Sequence, residues 1–167
     1  MILRAFHLVL CLSLLLVLPA RATEPAPVQQ GRVTWVYDGD TLEIDTVGKV
    51  RLIGIDVPEQ KDSKRDRYLA DQGIPAAKQR LISLAAREFN IKQVKGQKVH
   101  LGFDEPSLDK YGRLLAYVYL PDGRLLNRLL VEQGLAVVYR RFSFNMKENF
   151  LAAEAEARRN GAGLWAQ

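Results

Sequence analysis

The sequence predicts an α+β protein built on a small closed β-barrel of about five short strands, with about three helices. Short runs that alternate apolar and polar residues are separated by turn residues, as in the strands of small barrels. Other segments repeat apolar residues every three or four positions, as in helices. With 167 residues, of which 48% are hydrophobic and 26% charged, the chain has the composition of one globular domain.

The first three strands are predicted between residues 33 and 56. Residues 33–37 are β-branched or aromatic, Asp38-Gly39 is a turn signal, and residues 41–44 alternate polar and apolar side chains, so the two runs predict a hairpin. A third strand is expected from Lys49 to Asp56. It carries apolar residues on both faces, which suits a strand packed between a barrel interior and covering helices.

Helical periodicity next predicts an amphipathic helix over residues 75–88. Its apolar face is expected to consist of Ala77, Leu81, Leu84 and Ala85. Alternation returns at residues 97–102 and 114–120, which predict the fourth and fifth strands.

Two further helices are predicted near the carboxyl end. A short one around residues 126–130 stops at Gly134. The next is expected to open with a capping pair, Asn145 and Glu148, and to end at Gly161. Five strands with a helix inserted before the fourth favour a Greek-key barrel of the OB-fold type.

The amino-terminal segment has the pattern of a signal peptide. Residues 1–22 combine Arg4, an apolar run and a small-residue cleavage site, so cleavage is expected after Ala22. The alternative is an uncleaved membrane anchor, but the run is shorter than the roughly 20 apolar residues of a spanning helix. Residues 23–30 are expected to form a flexible lead and residues 31–167 the folded domain. The sequence therefore predicts export to the periplasm or the medium.

Composition excludes several chemistries. The only cysteine, Cys11, lies in the signal segment, so a disulfide scaffold is excluded. The only histidines are His7 and His100, which leaves no material for a His-rich metal site or a Ser-His-Asp triad. His100 is expected on the exposed side of its strand and receives no role. The net charge of +5 falls when the two arginines of the signal segment are removed, so charge alone is a weak argument for nucleic acid.

Three acidic residues at strand ends are candidates for chemistry: Asp40, Asp56 and Glu59. Asp40 is also explained by a turn, and the segment 56–59 by a solvated strand exit. Two carboxylates from different strands, together with a backbone carbonyl, would form a hard-oxygen site that favours Ca²⁺ or Mg²⁺ over zinc.

Arg51 and Arg113 are candidates for phosphate binding, because a guanidinium matches two phosphate oxygens. Either could instead be an exposed strand or turn residue. Arg51 and Asp56 would diverge along a straight strand, so a shared site requires a bend, expected at Gly54.

Further basic and aromatic residues extend the candidate surface. The mixed-charge run 61–68 is either a solvated loop or a segment that tracks a nucleic-acid backbone. Lys110 could bind a phosphate and Tyr111 could stack on a base, although Tyr111 could equally be core. Arg140 and Arg141 are left undecided.

Several spaced motifs resemble the staphylococcal nuclease (thermonuclease) family over nearly all of residues 31–165. They are Asp38-Gly39-Asp40-Thr41, the segment 51–59 (Arg-Leu-Ile-Gly-Ile-Asp-Val-Pro-Glu), Asp109-Lys110-Tyr111-Gly112-Arg113, Asn127 with the segment 129–136, and Gly163-Leu164-Trp165. The resemblance implies an OB-fold barrel and a Ca²⁺-dependent phosphodiesterase that cuts DNA and RNA and leaves 3′-phosphate ends.

The resemblance also implies a role for each matching residue. Asp40 and Asp56 would be carboxylate ligands of Ca²⁺, and the backbone carbonyl of Val57, where the family's best-known member has threonine, would be a third. Arg51 and Arg113 would bind the scissile phosphate, and Glu59 would orient or deprotonate the attacking water. Lys110 and Tyr111 would contact the phosphate and base of the nucleotide. The segment 139–142 does not align with the family's base-stacking tyrosine and stays unassigned.

Two other functions compete with the nuclease. One is a non-catalytic nucleic-acid-binding OB module, and the other a phosphodiesterase acting on a different substrate, such as an envelope polymer. All five groups that catalysis would need are present, which favours an enzyme: Glu59, the arginines Arg51 and Arg113, and the carboxylates Asp40 and Asp56. A monomer is expected.

Overall fold

The computed structural model describes residues 29–45, 47–105 and 107–167. The predicted signal peptide and residues 23–28 of the predicted lead lie outside these ranges. Among the described residues, no helix is both long enough and apolar enough to cross a membrane. The first strand begins at Gln29, and Gln30 and Gly31 pair with His100 and Val99, so the end of the predicted lead is part of the barrel.

The described residues form seven strands: β1 (Gln29–Val36), β2 (Thr41–Ile44), β3 (Gly48–Leu52), β4 (Ile55–Asp56), β5 (Lys98–Gly102), β6 (Leu114–Tyr119) and β7 (Val137–Val138). Five of them close a barrel in the order β1-β2-β3-β6-β5, with β5 pairing back to β1. The pair β3–β6 is parallel, and the other barrel pairs are antiparallel. The predicted α+β class and five-stranded barrel are confirmed.

Strand alternation fills the barrel with small and medium apolar side chains. Val33, Leu42, Val50, Val99 and Val118 are completely buried. As predicted, Val99 and Leu101 point inward while His100 is exposed. Because successive strand residues face opposite sides, this pattern fixes the register of the barrel.

The helices are α1 (Asp66–Ala70), α2 (Ala76–Val94), α3 (Leu126–Glu132) and α4 (Lys147–Arg159), and a 3₁₀ turn follows at Gly163–Trp165. Three helices match the prediction. The short α1 was not predicted, because the run 61–68 reads as a loop. Its start is nevertheless encoded: the Ser63 amide donates to Asp66 at 3.0 Å and the Arg65 amide donates to the Ser63 hydroxyl at 3.2 Å.

The predicted apolar face of α2 is wrong. Leu81 and Leu84 are 66% and 52% exposed, and the buried side consists of Gln79, Ile82, Ser83, Ala86, Asn90 and Val94. The side-chain nitrogens of Gln79 and Asn90 donate to the carbonyls of Ile74 and Gly39, both at 2.9 Å, while their side-chain oxygens are buried without a hydrogen-bond partner. The helix therefore packs through small and hydrogen-bonded side chains, which a count of apolar residues does not detect.

The predicted cap of α4 is also wrong. Met146 occupies the cap position, and no side chain caps the helix there. Asn145 instead donates twice to Asp104, from its amide at 2.7 Å and from Nδ2 at 2.6 Å. These two hydrogen bonds hold Asn145 against the buried Asp104 carboxylate, and Met146 takes the cap position. The predicted stop is confirmed, since the helix ends at Arg159 just before Gly161, whose φ is +61°.

Candidate active site

The predicted single strand over residues 49–56 is interrupted, and the interruption creates the centre of the site. β3 ends at Leu52, and β4 leaves the barrel to pair with β7. Between them Gly54 has φ +80°, and the Phe144 ring lies 2.6 Å from where a Cβ atom at Gly54 would be placed. The bend predicted at Gly54 is therefore present, and only glycine fits it without strain.

The bend brings Arg51 and Asp56 together. The Arg51 guanidinium donates to Asp56 Oδ1 at 2.9 Å and to the Ile55 carbonyl at 3.3 Å. Its other terminal nitrogen forms an ion pair with Asp40 Oδ1. One guanidinium thus bridges two carboxylates, one from the turn before β2 and one from β4.

Asp40 is almost fully buried, with 3% of its surface exposed. Its Oδ2 accepts from the Val57 amide at 3.1 Å, and its Oδ1 accepts from the Thr41 hydroxyl at 3.2 Å. Each of these contacts is a donor, so the hydrogen bonds and the ion pair compensate the burial of this carboxylate.

A tight approach at Gly39 places Asp40. A Cβ atom at Gly39 would lie 2.6 Å from both Ala86 of α2 and Val57. The carbonyl of Gly39 accepts from the buried Asn90 side chain at 2.9 Å. The turn, the long helix and the segment after β4 are therefore locked together beside Asp40.

Arg51 is part-buried, with 15% of its side chain exposed. Burial lowers the pKa of its guanidinium, and the neighbouring Asp56 carboxylate opposes that shift. An arginine begins from such a high pKa that it stays charged at neutral pH. Arg51 is thus a fixed positive charge between two acids.

Glu59 reaches this centre through a residue that sequence reasoning did not single out. Arg65 donates to Glu59 Oε1 at 2.5 Å and also pairs with Asp56 Oδ1. Partial burial disfavours its charge, but the hydrogen bond and the charges of Asp56 and Glu59 outweigh this, so the pKa of Arg65 is raised. Glu59 keeps 42% of its side chain exposed, so it faces the open groove.

Arg80 of α2 holds the segment that carries Glu59 and Arg65. It donates to the Glu59 carbonyl and pairs with the Asp66 carboxylate, which joins both ends of the intervening loop to one side chain. The run 61–68 is therefore fixed at its ends, although Lys61, Asp62 and Lys64 between them are exposed.

Arg113 occupies a separate turn. Asp109 accepts from the amides of Tyr111 and Arg113 at 2.9 and 3.0 Å and from the Arg113 guanidinium at 2.7 Å. Burial works against ionisation of Asp109, but these hydrogen bonds outweigh it and its pKa is lowered. The turn thereby presents Arg113 as a charged, part-buried side chain.

Lys110 and Tyr111 lie at the tip of the same turn. Tyr111 is 72% exposed, so the alternative that placed it in the core is wrong. Lys110 Nζ lies 4.9 Å from the centre of the Tyr111 ring, and the Arg113 guanidinium carbon lies 5.5 Å from it. The tip of the turn therefore presents the Tyr111 ring beside two cationic side chains, Lys110 and Arg113.

The predicted site residues and Arg65 line one groove with a volume of about 1470 Å³, whereas Arg80 does not. Its walls are the Asp38–Asp40 turn, the segment 51–69, the turn 109–113 and the segment 137–142. Arg140, which the sequence left undecided, lines it too and pairs with the buried Glu154 of α4. Arg141 also lines the groove.

Within the described part of the chain, no three His, Cys, Asp or Glu side chains are placed to hold a metal ion. The chemistry of the donors still fits a hard cation. Asp40 and Asp56 both contact one guanidinium, so they already share a positive charge, and Val57 is held against Asp40 by its amide. Two carboxylates and a carbonyl suit Ca²⁺ with several water ligands.

The supporting residues were missed for physical reasons. Arg65 and Arg80 read as surface charges, since only the folded loop brings them to Glu59. Asp109 could have been found, because its spacing from Arg113 across the Gly112 turn allows an ion pair. Asn127 was quoted for the resemblance alone. It is completely buried, donates to the Ile53 carbonyl at 3.0 Å and accepts from the Val118 amide at 3.0 Å, so it joins the end of β3 to β6.

Carboxylates and arginines gathered in one groove of a closed barrel are the groups expected of an enzyme that acts on phosphate esters. Comparisons with known proteins also indicate an enzyme of this class. The family described as "Staphylococcal nuclease homologue" matches residues 49–167. The chain is 36% identical over 135 residues to a thermonuclease of Staphylococcus intermedius, covering 78% of this chain and 72% of that protein.

Two other relatives extend this similarity. An uncharacterized endonuclease of Escherichia coli is 34% identical over 138 residues, covering 81% of this chain and 76% of that protein. An uncharacterized protein of Methanocaldococcus jannaschii is 36% identical over 148 residues, covering 81% of this chain and 70% of that protein. The chain belongs to the staphylococcal nuclease family. It is a nuclease, which is a phosphodiester hydrolase.

Proposed function

We propose that the protein is an exported, Ca²⁺-dependent nuclease that hydrolyses phosphodiester bonds of both DNA and RNA and leaves 3′-phosphate ends. The observation that carries this proposal is the part-buried Arg51 guanidinium between Asp40 and Asp56. Glu59 is linked to the same Asp56 through Arg65, and Arg113 lines the same groove. The groove therefore combines acids for a cation and a water with arginines for a phosphate.

Asp40, Asp56 and the backbone carbonyl of Val57 are the residues that would hold Ca²⁺. The bound cation would supply positive charge that stabilises the phosphoryl transition state. Asp40 is fixed by donors from Val57 and Thr41, so the carboxylate needs little rearrangement on binding. Arg51 and Arg65 balance the two carboxylates when no cation is bound.

Arg51 and Arg113 bind the scissile phosphate and stabilise the negative charge that develops when water attacks phosphorus. Arg51 approaches from the floor of the groove, where burial strengthens its electrostatic effect. Arg113 approaches from the turn at 109–113, where Asp109 fixes its orientation. The bond between phosphorus and the 5′ oxygen breaks, and the leaving oxygen takes up a proton from solvent water.

Glu59 orients the attacking water and accepts its proton. Its side chain is part-exposed in the groove and held by Arg65, so it can contact a water molecule. Lys110 binds a flanking phosphate and Tyr111 stacks on a base, since both are exposed at the tip of one turn.

Residues 1–22 act as the signal peptide in this proposal, with cleavage after Ala22. The enzyme would then act in the periplasm or the medium as a monomer. The support is the pattern of Arg4, the apolar run and the small residues before the cleavage site.

The test incubates the purified protein with single-stranded DNA, duplex DNA and RNA, in Ca²⁺, in Mg²⁺ and with a chelator. Cleavage that requires Ca²⁺ and leaves 3′-phosphate ends on DNA and RNA is expected. Cleavage that persists in chelator would overturn the calcium dependence. Binding without cleavage under every condition would identify a non-catalytic nucleic-acid-binding module instead.

Glu59→Gln tests the role of the acid. Turnover should fall by about 10²- to 10⁴-fold, because a positioned base commonly contributes that factor. Oligonucleotide affinity and the urea midpoint should stay close to the parent values. Glu88→Gln, at an exposed position of α2, is the matched control and should cleave normally. Near-normal turnover in Glu59→Gln would exclude the assigned role.

A further inference from the structure

Two exposed aromatic rings, each next to a lysine, lie outside the residues assigned above. Trp35 is 47% exposed and Tyr37 is 40% exposed. Lys95 Nζ lies 4.8 Å from the centre of the Trp35 ring, and Lys49 Nζ lies 4.1 Å from the centre of the Tyr37 ring. We call Trp35, Tyr37, Lys49 and Lys95 the aromatic strip.

Strand geometry puts both rings on the outer surface of the barrel. The register of β1 shifts between Val33 and Trp35, and Val33 and Val36 remain in the core. Tyr37 follows the end of β1, and its hydroxyl donates to Glu43, the residue that pairs with Trp35, so both rings lie on the side of Glu43. Trp35 pairs with Glu43 of β2, and Glu43 pairs with Lys49 of β3.

The aromatic strip is continuous with the groove. Tyr37 is itself a lining residue, and Asp38 after it holds the Asp40 amide at 3.0 Å. Arg87 of α2 donates to the Tyr37 carbonyl at 3.2 Å and adds a third positive charge. A nucleic-acid strand that leaves the groove past Asp38 would next contact Tyr37 and then Trp35.

The charge of this surface is complementary to nucleic acid. Lys49, Lys95 and Arg87 outnumber the two acids beside the rings, Glu43 and Asp38. Glu43 accepts from the Tyr37 hydroxyl at 2.9 Å, and Asp38 accepts from the Asp40 amide. Exposed rings flanked by cations are the combination that binds single strands, because rings stack on bases while cations contact phosphates. Neither ring contributes a fully buried surface to the core, so core packing does not explain them.

We propose that the aromatic strip is a second binding segment for single-stranded nucleic acid, extending the substrate path from the groove. Trp35 stacks on a base, and Lys95 and Lys49 contact the phosphates beside it. This inference rests on the proposed action on nucleic acid and adds a segment that only substrates of several nucleotides can reach.

The test measures binding without cleavage. In the Glu59→Gln background, with Ca²⁺ present and at times too short for residual turnover, the Kd values for a thymidine trinucleotide and a twelve-nucleotide thymidine strand are measured by fluorescence anisotropy. Trp35→Ala should raise the Kd of the long strand about fivefold or more, since stacking of one base contributes about 1–3 kcal/mol. The Kd of the trinucleotide should not change. Leu81→Ala, at another exposed apolar residue, is the control and should change neither.

A second readout uses fluorescence. The protein has two tryptophans, so Trp165→Phe leaves Trp35 as the only one. The long strand should quench its emission and the trinucleotide should not.

Three outcomes would overturn the inference. Equal weakening of both ligands by Trp35→Ala would mean that Trp35 supports the groove itself. Unchanged binding of the long strand would refute the aromatic strip while leaving the nuclease proposal intact. If the protein with Trp35 bound neither strand, the proposed action on nucleic acid would fail together with the inference.

Discussion

Substitution of Gly54 by alanine tests how the bend between β3 and β4 builds the site. Two costs add at this position. The φ of +80° is in the left-handed region, which costs a non-glycine residue about 1–2 kcal/mol. A new Cβ atom would also lie 2.6 to 3.0 Å from three atoms of the Phe144 ring, and such overpacking costs about 1–3 kcal/mol. The free energy of unfolding should fall by about 2–5 kcal/mol.

Gly73 supplies the matched control for this experiment. Its φ is also +80°, but a Cβ atom there would have no neighbour within 4 Å. Gly73→Ala should therefore lose only the conformational part, about 1–2 kcal/mol. Urea unfolding followed by circular dichroism measures both variants, and a cycle with Phe144→Leu should show coupling at Gly54 and none at Gly73.

Nuclease activity provides the functional half of the test. Where Gly54→Ala still folds, the Arg51 and Asp56 side chains should be displaced from their 2.9 Å contact, and turnover should fall well below that of Gly73→Ala. Equal stability losses in the two alanine variants would refute the steric argument. Full activity in Gly54→Ala would refute the claim that this bend sets the site.

Two other predictions concern stability. Asn127→Ala should lower the free energy of unfolding, measured by urea denaturation, by about 2–4 kcal/mol, because the Ile53 carbonyl and the Val118 amide lose their buried partner. The control Asn160→Ala, on the surface, should change the free energy of unfolding little. Asp109→Asn should destabilise the protein at neutral pH and less so in acid. Because the pKa of Asp109 is lowered in the folded state, the ionised carboxylate gives stability that is present above the unfolded pKa near 3.9 and is lost as the pH falls through the folded pKa. The urea midpoints of variant and parent should therefore approach each other as the pH falls below about 3.9. Persistence of the full difference at pH 3 would exclude the ionised Asp109 as its source.

The sequence predicted the elements whose side chains alternate or repeat cleanly. The first hairpin, the two later strands and the stops at Gly134 and Gly161 depend on local patterns, and these were confirmed. The buried face of α2 could not be predicted in this way. Its contacts depend on where Gly39 and the segment before α2 lie in space, and no local pattern contains that information.

The candidate site likewise contains some contacts that a local pattern predicts and others that only the folded chain determines. The convergence of Arg51 with Asp56 follows from the one glycine between them, so the sequence was sufficient to predict it. Arg65 and Arg80 act through contacts 6 and 21 residues distant in the chain, made by a loop with mixed charges. In such a loop any cation could pair with several acids, and only the folded path selects the partners.

The parallel pairing of β3 with β6 also has a consequence for how activity appears during folding. Arg51 pairs with Leu115 in that register, and Arg113 directly precedes β6, so the two arginines become neighbours only when segments more than 60 residues apart have joined. Contacts between distant segments form late, because the intervening chain must first be closed into a loop. Recovery of catalysis after dilution from urea should therefore report closure of the barrel. A nascent chain whose β6 has not yet been synthesised would not cleave the nucleic acid of the cell that makes it.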